Sequence, residues 1–315
     1  MSRPGTHHTE HSITVSASPW RVYDLIADVG RWPETFPPTV HVEHVERGDT
    51  EERIRIWATA NGEVKTWTSR RLLDPSRLSV RFRQEVSQPP VSAMGGEWIV
   101  EPLTGTETRV RLLHDFRAVD DDAENVAWIQ RAVDHNSGAE LAALRTAVER
   151  EEAGAGLVLT FEDTIAFDGD VKAAFAFIDE AHRWPERLPH VASAELTENQ
   201  PGLQVLEMDT RAPDGSTHTT RSVRICFPHD RIVYKQLRTP ALMTAHTGQW
   251  LFRVDGEGAR ITSVHTVVLN EEAVPAVLGP DATLADARAF VRDALGRNST
   301  TTMEHAVAHA GRPRA

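Results

Sequence analysis

Alternating apolar and polar residues open the chain and predict a strand followed by two short helices. Residues 12–16 alternate as a half-buried strand does. Residues 18–19, Ser-Pro, are typical of a helix N-cap followed by proline at the first helical position. We expect this helix to run to about Asp28. A second short helix is predicted to begin in Arg-Trp-Pro-Glu at 31–34 and to stop at the Pro-Pro pair, 37–38.

The pattern then changes to a series of strands closed by one long helix. Asn61-Gly62 is a strong hairpin signal between two of the strand-like runs. Within 123–152 the apolar residues recur at helical spacing, which predicts a long amphipathic helix. A strand, two short helices, a meander and a long helix together form an α+β unit. The predicted strands of the meander lie near residues 40–45, 52–60, 64–73, 78–84, 96–101 and 108–116.

The same element order returns in the second half of the chain, together with several short motifs. Matches that keep their order at nearly constant spacing indicate tandem copies of one fold. Arg-Trp-Pro-Glu at 31–34 recurs at 183–186, Ser-x-Arg at 69–71 recurs at 222–224, the run 94–98 resembles 246–250, and His114 corresponds to His265.

The repeat predicts two domains, residues 8–152 and 157–310, joined by Gly154-Ala155-Gly156. A length of 315 residues fits about two domains. The second copy is longer before its final helix, and its extra residues near 270–283 are typical of a loop insertion. In each copy we expect a curved antiparallel sheet gripping a long C-terminal helix around an internal cavity.

Composition and charge exclude several classes of protein. The chain is 40% hydrophobic and 25% charged, as in a soluble globular protein. Its net charge of -12 would repel phosphate backbones and anionic lipid, so we expect neither nucleic acid nor membrane as a partner. Cys226 is the only cysteine, which excludes an internal disulfide framework. Without a signal-like or spanning apolar run, the protein is expected to be cytoplasmic.

The strand predicted at 64–73 carries the candidate chemistry of the first copy. A period of two places Lys65, Trp67, Ser69 and Arg71 on one face. An aromatic ring, a hydroxyl and a guanidinium in a row suit a flat, oxygen-rich ligand. Ser-x-Arg on a strand is also compatible with an ordinary solvated face. The recurrence of this motif in the second copy leaves both interpretations open.

Tryptophan is concentrated in the first copy and allows two interpretations as well. Tryptophans are common core residues, but they also form stacking walls for planar ligands. Because Thr220 stands where the first copy has Trp67, the two interiors should differ in size and polarity. The first copy contains Trp20, Trp32, Trp57, Trp67, Trp98 and Trp128, and the second contains Trp184 and Trp250.

Common cofactor and hydrolase motifs are missing from the sequence. It contains no Gly-x-Gly-x-x-Gly, Walker loop, Gly-x-Ser-x-Gly or His-Glu-x-x-His. The histidines show no metal-ligand spacing, and His114 and His265 are interpreted as structural imidazoles on strands. We therefore expect no metal and no cofactor.

Both copies resemble the helix-grip domains of the START and Bet v 1 superfamily, and most of all the two-domain polyketide aromatase/cyclases of bacterial type II polyketide synthases. The resemblance rests on the Arg-Trp-Pro-Glu segment, the Trp-x-Ser-x-Arg strand at 67–71 and the Met-Gly-Gly-x-Trp run at 94–98. It implies that the substrate is a poly-β-ketone tethered by phosphopantetheine to an acyl carrier protein. It also implies that other type II polyketide synthase components are partners of the protein. The implied reaction is aldol cyclisation and dehydration to an aromatic ring.

The resemblance also implies roles for individual residues. Arg71 corresponds to the pocket arginine of the family and would stabilise a ketone oxygen and the enolate formed from it. Ser69 would donate to the same oxygen or relay a proton. The implied substrate-binding walls are Trp32, Trp57, Trp67, Met94 and Trp98 in the first copy, and Trp184, Thr220 and Trp250 in the second.

The second copy departs from the pattern where it would matter for chemistry. It keeps Ser222 and Arg224, but His246 replaces Met94. An imidazole titrates near neutral pH, so His246 is a candidate acid or base beside Arg224. We hypothesise that one copy cyclises and the other dehydrates or aromatises a chain already reduced by a ketoreductase.

Two rival functions follow from the same fold. A non-catalytic carrier of lipids or small molecules would use the cavity only for binding, although paired Ser-x-Arg on an inner face suits it less than an apolar face would. A structural chaperone of a synthase complex would need neither arginine for activity.

Overall fold

The computed structural model describes residues 5–152, 154, 156–211, 215–256 and 258–313. The chain divides into two compact units, Met1–Ala155 and Gly156–Ala315. Of the predicted linker, Ala155 lies outside the described residues. The domain limits inferred from the repeat, 8–152 and 157–310, stay predictions, and each unit is described by itself.

The first unit is an antiparallel sheet with a long C-terminal helix. In its described residues the sheet has seven strands, and consecutive strands pair as a meander while the first strand joins the last. In chain order the elements are β1 (His7–Val15), α1 (Pro19–Ala27), a 3-10 turn (Val29–Arg31), α2 (Trp32–Thr35), β2 (Thr39–Arg47), β3 (Glu51–Ala60), β4 (Glu63–Asp74), β5 (Ser79–Val86), β6 (Val91–Pro102), β7 (Thr108–Ala118), a 3-10 turn (Val119–Asp121) and α3 (Ala123–Glu152).

The second unit repeats this plan and adds a short edge strand at its end. Its sheet has eight strands over the described ranges, in the order β15-β8-β14-β13-β12-β11-β10-β9. These are β8 (Val158–Gly169), α4 (Val171–Asp179), a 3-10 turn (Ala181–Arg183), α5 (Trp184–Arg187), β9 (Val191–Gln200), β10 (Leu203–Arg211), β11 (Thr217–Phe227), β12 (Arg231–Arg238), β13 (Met243–Asp255), β14 (Gly258–Leu269), a 3-10 turn (Glu271–Ala273), α6 (Val274–Leu278), α7 (Leu284–Ala310) and β15 (Gly311–Pro313). The predicted α+β fold with tandem copies is confirmed.

Local sequence signals locate most elements of the first unit. Asn61 and Gly62 have φ values of 50° and 82°, the left-handed pair that a tight hairpin between β3 and β4 requires. Pro19 opens α1 as expected, but the Ser18 side chain makes no capping bond. Instead, the Ser18 N–H donates to Glu152 Oε1 at 3.2 Å, which joins the start of α1 to the end of α3.

The prediction of a plain loop near 270–283 is wrong. This segment contains α6, whose Val274 packs in a cluster with Leu269 and Val291. The next helix, α7, begins with a capping box in which Thr283 and Asp286 exchange hydrogen bonds. The insertion therefore adds apolar contacts to its unit, because its valine meets both the sheet and the helix.

The repeated motifs of the first unit meet at one buried arginine. Arg71 donates to the Ile26 carbonyl at 2.6 Å and to the Ala27 carbonyl at 3.1 Å, at the end of α1. Its guanidinium carbon lies 4.9 Å from the centre of the Trp32 ring. Trp32 Nε1 donates to the same Ile26 carbonyl at 3.2 Å. Arg71 also donates to the Glu52 carboxylate, which lies opposite it on β3.

The second unit builds the same junction from the second copies of the motifs. Arg224 donates to the Ile178 carbonyl at 2.7 Å and to the Asp179 carbonyl at 3.2 Å. Its guanidinium carbon lies 5.3 Å from the centre of the Trp184 ring, and Trp184 Nε1 donates to the Phe177 carbonyl at 3.2 Å. Orphan carbonyls at the helix end are thereby satisfied in both units.

Close strand packing explains the glycine that both copies keep. A Cβ on Gly96 would lie 1.9 Å from the Leu113 carbonyl oxygen and 2.6 Å from the Phe82 ring. A Cβ on Gly248 would lie 2.4 Å from the Tyr234 hydroxyl. Each glycine therefore lets an aromatic ring of the neighbouring strand lie flat across the sheet.

We predict that the side chains that accept a hydrogen bond from the two buried arginines, Glu52 and Gln204, contribute differently to the free energy of unfolding. Glu52→Ala leaves the Arg71 cation buried without its carboxylate and should lower the free energy of unfolding by about 3–5 kcal/mol. The matched variant Gln204→Ala removes a neutral amide, which accepts from Arg224 Nη1 at 2.8 Å and donates to the Asp179 and Glu198 carboxylates, and it should cost about 1.5–3 kcal/mol. Denaturant unfolding of both variants measures the difference. Equal losses would contradict a stabilising ion pair at Arg71.

Candidate active site

A cavity of about 150 Å³ lies in the first unit between the sheet and α3. Alternating residues of β3 and β4 face it, including Ile56, Ala58 and Trp67. On the helix side, Trp128 and Val133 complete an apolar and aromatic wall. Such a wall suits a flat hydrophobic ligand that can stack on indole rings.

Two titratable groups inside this wall are held in their neutral forms. Burial raises the pKa of Glu140, on α3, to about 8, so the carboxyl keeps its proton at neutral pH. Burial lowers the pKa of His114, on β7, to about 4, with a smaller contribution from His11. The Nδ1 atom of His114 is buried and has no hydrogen-bond partner within the described part of the chain. The cavity thus holds a carboxylic acid and a neutral imidazole.

The predicted site residues of the first copy separate into two groups. Trp32, Trp67 and Met94 line the cavity, as the sequence-based hypothesis requires. Ser69 and Arg71 do not lie at its surface, although the strand period puts them on the same face. Both are buried, with 2% and 1% of their surface exposed, because the helix-end carbonyls and Glu52 bind the guanidinium below the cavity. Their catalytic roles stay predictions, because neither residue is part of the cavity lining.

Two predicted wall tryptophans lie elsewhere in the first unit. Trp57 is on the face of β3 opposite to Ile56, where its ring is 5.5 Å from His41 and 5.9 Å from the Arg55 guanidinium. Trp98 belongs to the hydrophobic core and stacks on Phe36 at 6.0 Å between ring centres. The expectation that both line the cavity is corrected by this placement. Each serves packing instead.

The second unit has a cavity of about 120 Å³ with a more polar lining. Residues of β11, β12 and β13 face Asn298 and Ser299 of α7 across it. All predicted site residues of this copy lie at its surface, and these are Trp184, Thr220, Ser222, Arg224, His246 and Trp250.

A chain of hydrogen bonds links two histidines of the second cavity. His246 Nε2 lies 3.0 Å from His265 Nδ1, and the Tyr234 hydroxyl lies 3.1 Å from the same nitrogen. His265 Nε2 lies 3.0 Å from the Ser263 hydroxyl. When His265 Nδ1 accepts, His246 carries its proton on Nε2 and a free lone pair on Nδ1. That Nδ1 is buried without a partner among the described residues, so it is available to a ligand.

Burial keeps these groups uncharged at neutral pH. It lowers the pKa of His246 well below its ordinary value, with a smaller effect from His265. It lowers the pKa of His265 to about 4, and it raises the pKa of Tyr234 above its ordinary range. His246 is therefore a base that is free of a proton near pH 7.

Sequence reasoning missed Glu140 and interpreted His114 and His265 as structural. One feature of the sequence could have identified Glu140. It falls in the inward-facing stripe of α3, with Val133, Ser137 and Leu144. A carboxyl in such a stripe faces the interior. The His246–His265 contact had no signal, because the two residues come from different strands and meet only through the sheet register.

Two further observations concern metals and membranes. Over the residues that the structure describes, no group of three or more His, Cys, Asp or Glu side chains is arranged to hold a metal ion. Within the same residues, no helix is both long and apolar enough to cross a membrane.

Comparisons with known proteins cover nearly the whole chain. A family model described as polyketide cyclase/dehydrase and lipid transport matches residues 15–131. The chain is 49% identical over 99% of its length to the granaticin polyketide synthase bifunctional cyclase/dehydratase of Streptomyces violaceoruber, covering 97% of that protein. It is 48% identical to the actinorhodin polyketide synthase bifunctional cyclase/dehydratase of Streptomyces coelicolor, with 99% of both chains covered.

Solved structures show the same likeness in three dimensions. The crystal structure of the di-domain ARO/CYC BexL, from the BE-7585A biosynthetic pathway, is similar with a TM-score of 0.87 and 56% identity, over 96% of this chain and 98% of that one. The di-domain ARO/CYC StfQ, from the steffimycin biosynthetic pathway, is similar with a TM-score of 0.84 and 36% identity over the same shares.

We predict that the buried histidines make the fold sensitive to acid. A histidine with a lowered pKa binds its proton less well when folded, so between pH 6.5 and about 4 the unfolded chain takes up more protons. The free energy of unfolding should therefore fall as the pH falls through this window. His246→Met, which installs the residue of the first copy, should make the fall shallower in denaturant unfolding measured at several pH values.

The control is His8→Gln, at an exposed position of β1. It should leave the pH dependence unchanged. An unaltered slope in His246→Met would contradict the prediction.

Proposed function

Since the chain belongs to the bifunctional cyclase/dehydratases of bacterial type II polyketide synthases, we propose that its substrate is a ketoreduced poly-β-ketone tethered by phosphopantetheine to an acyl carrier protein. Cyclase and dehydratase activity is common to its nearly full-length relatives. We propose that the chain forms the first ring by intramolecular aldol addition and then removes water. Neither step changes the oxidation state of the substrate overall, so neither needs a redox cofactor.

The observation that carries this proposal is that the two cavities hold different acid and base groups. Glu140 and His114 line the first, and His246 with its hydrogen-bonded partners lines the second. Pairs of groups whose environments set their protonation states are what acid–base catalysis needs. This difference supports one step in each cavity.

We propose dehydration in the first cavity. The protonated Glu140 carboxyl donates its proton to the departing hydroxyl, which leaves as water. The free Nδ1 of His114 accepts the proton from the neighbouring carbon, and the electron pair of that C–H bond forms the new double bond. Trp67 and Trp128 provide flat surfaces on which the ring can stack as it becomes planar.

We propose aldol addition in the second cavity. His246 Nδ1 takes a proton from the carbon between two carbonyls, and the resulting enolate carbon attacks a ketone carbon further along the chain. The new C–C bond leaves an alkoxide, which takes the proton back from the imidazolium. Ser222 lines this cavity and is proposed to donate a hydrogen bond to the reacting oxygen.

The rival function, a non-catalytic carrier, is less compatible with these linings. Burial of ionisable groups costs free energy that a carrier for apolar ligands would avoid by using apolar side chains. Glu140, His114 and His246 all lie within cavity walls with shifted pKa values. Such shifts cluster at catalytic sites, which favours chemistry over transport. We also propose that the protein acts in the cytoplasm, with an acyl carrier protein as its partner.

We predict that Glu140→Gln blocks dehydration, because an amide cannot donate a proton to the leaving hydroxyl. With carrier-bound substrate, the dehydrated product should form roughly a hundredfold more slowly or worse, and a cyclised product heavier by one water should accumulate. Mass spectrometry of the products measures both. In the wild type, dehydration should slow as the pH rises through about 8, where Glu140 loses its proton.

The control is Glu124→Gln, an exposed carboxyl on the same helix. It should behave as the wild type does. A Glu140→Gln enzyme that dehydrates at the normal rate would overturn this role.

We predict that His246→Met blocks ring formation and spares dehydration, which is the reverse of the effect of Glu140→Gln. Removing the base should lower formation of the first ring by about a hundredfold or more, while a pre-cyclised hydroxy intermediate is still dehydrated. His229→Gln, at an exposed histidine of the same unit, is the matched control. If His246→Met and Glu140→Gln gave the same product profile, the division of labour between the cavities would be wrong.

A further inference from the structure

Both units have a glutamine at the same place in the sheet. Gln84 of β5 lies opposite Ser69 on the neighbouring strand, and Gln236 of β12 lies opposite Ser222. Each glutamine lines the cavity of its own unit. Because an amide has both donor and acceptor atoms, its protein contacts decide which of these atoms it offers to a ligand.

In the first unit the protein itself provides partners for this amide. The Ser87 hydroxyl donates to Gln84 Oε1 at 2.7 Å. Gln84 Nε2 donates to the Met94 sulfur at 3.7 Å. A ligand in the first cavity therefore meets an amide oxygen that already holds a hydrogen bond.

In the second unit neither of these partners is kept. Thr239 replaces the serine, and its hydroxyl donates to the Met243 carbonyl at 2.8 Å instead. His246 replaces the methionine. Gln236 Oε1 is buried and has no hydrogen-bond partner among the described residues. Since buried polar atoms are usually paired, this oxygen is an acceptor open to a ligand.

A second open acceptor lies beside α7 in the same cavity. The Thr302 hydroxyl donates to the Asn298 carbonyl at 2.9 Å, so its contact with His190 Nε2 at 3.4 Å uses an N–H of the imidazole. His190 Nδ1 then carries a lone pair, and this atom is buried without a partner in the described part of the chain. Burial lowers the pKa of His190 to about 4, with a smaller contribution from His305, so the ring is neutral at pH 7.

The first unit has the opposite chemistry at the equivalent positions. The Asn-Ser pair that recurs in the two long helices places Thr302 where α3 has Glu140, and the Arg-Trp-Pro-Glu repeat places His190 where the first unit has Pro38. Pro38 and Glu140 both line the first cavity. The Glu140 carboxyl, protonated at neutral pH, is a hydrogen-bond donor. The second unit therefore has an acceptor, His190, in the region where the first has a donor.

We propose that the second cavity recognises hydroxyl groups of the polyketide, and that Gln236 and His190 determine this specificity by accepting hydrogen bonds from them. The inference rests on the proposed function for the identity of the ligand. The buried side-chain atoms of the described lining that lack a partner are all acceptors, namely His190 Nδ1, Gln236 Oε1 and His246 Nδ1.

These acceptors distinguish a hydroxyl from a ketone. A hydroxyl of a reduced or enolised chain donates a hydrogen bond, whereas a ketone oxygen only accepts. Binding a chain without hydroxyl groups leaves the buried acceptors unpaired, which lowers its affinity. With Gln236 and His190 holding hydroxyl groups, His246 Nδ1 stays available for proton transfer from carbon.

A series of flat ligands tests the proposal without turnover. The ligands are 2,7-dihydroxynaphthalene, 7-methoxy-2-naphthol and 2,7-dimethoxynaphthalene, which have two, one and no hydroxyl donors and are uncharged at pH 7. Isothermal titration calorimetry measures their affinities for the full-length wild type. The affinity should fall in this order, by roughly threefold to tenfold for each hydroxyl replaced.

Matched variants assign the preference to one cavity. Gln236→Met keeps the length of the side chain without its acceptor, and His190→Phe keeps a planar ring without its nitrogen. Each should weaken binding of the dihydroxy ligand by roughly threefold to tenfold and leave the dimethoxy ligand unchanged. The control is Gln84→Met, which makes the same change in the first cavity and should leave both affinities unchanged.

The variants are expected to fold, because Gln236 Oε1 and His190 Nδ1 bond to no described group of the protein. Circular dichroism checks this. Should one of the two not fold, the other still decides the matter.

The proposal is overturned if the wild type binds the dimethoxy ligand as tightly as the dihydroxy ligand, or if either folded variant keeps the full preference for hydroxyl groups. The acceptors would then be hydrated only. Failure of the proposed function gives a different result. In that case carrier-bound substrate is not converted, yet the hydroxyl preference of the wild type and its loss in the variants persist, and the hydroxyl site stands.

Discussion

A buried arginine stacked on an indole ring organises each unit of this protein. It joins the middle of the sheet to the carbonyl end of the first helix, and it fixes the tryptophan that forms one wall of the cavity. A guanidinium that leaves water must recover its hydrogen bonds, and the helix-end carbonyls provide them. The arrangement needs an arginine on a strand and an aromatic residue after the helix. These are the parts of the sequence that both copies keep.

Around that common junction the copies have diverged at a few positions that decide their chemistry. Tyr234 replaces Phe82 and His246 replaces Met94, which creates the hydrogen-bonded histidines of the second cavity. Glu140 faces the first cavity instead. Both units have a glycine opposite the aromatic ring, where a Cβ would meet that ring. Two units with the same backbone fold can therefore hold titratable groups in different protonation states, because the pKa of each group depends on the side chains around it.

The fold and part of the site could be predicted because they depend on local patterns. Alternation located the strands, helical spacing located α3, and repetition showed that one unit follows another. The prediction of which face of β4 points inward is correct. The prediction that every residue on that face reaches the cavity is not. Trp67 reaches the cavity, whereas Arg71 lies below it, and only the position of the helix-end carbonyls decides that difference. Trp57 was misplaced for a related reason, because it lies on the outer face of its strand.

The sequence by itself determined the tandem α+β architecture and the residue types available for chemistry, since periodicity and repetition are properties of the chain. The tertiary structure alone decided which side chains lie together in the same cavity or buried cluster. His246 and His265 meet through the register of two strands, and Glu140 becomes an acid because of what surrounds it. Arg71 donates to a carboxylate and Arg224 to an amide for the same kind of reason. Protonation and charge pairing depend on spatial neighbours, which a linear pattern does not specify.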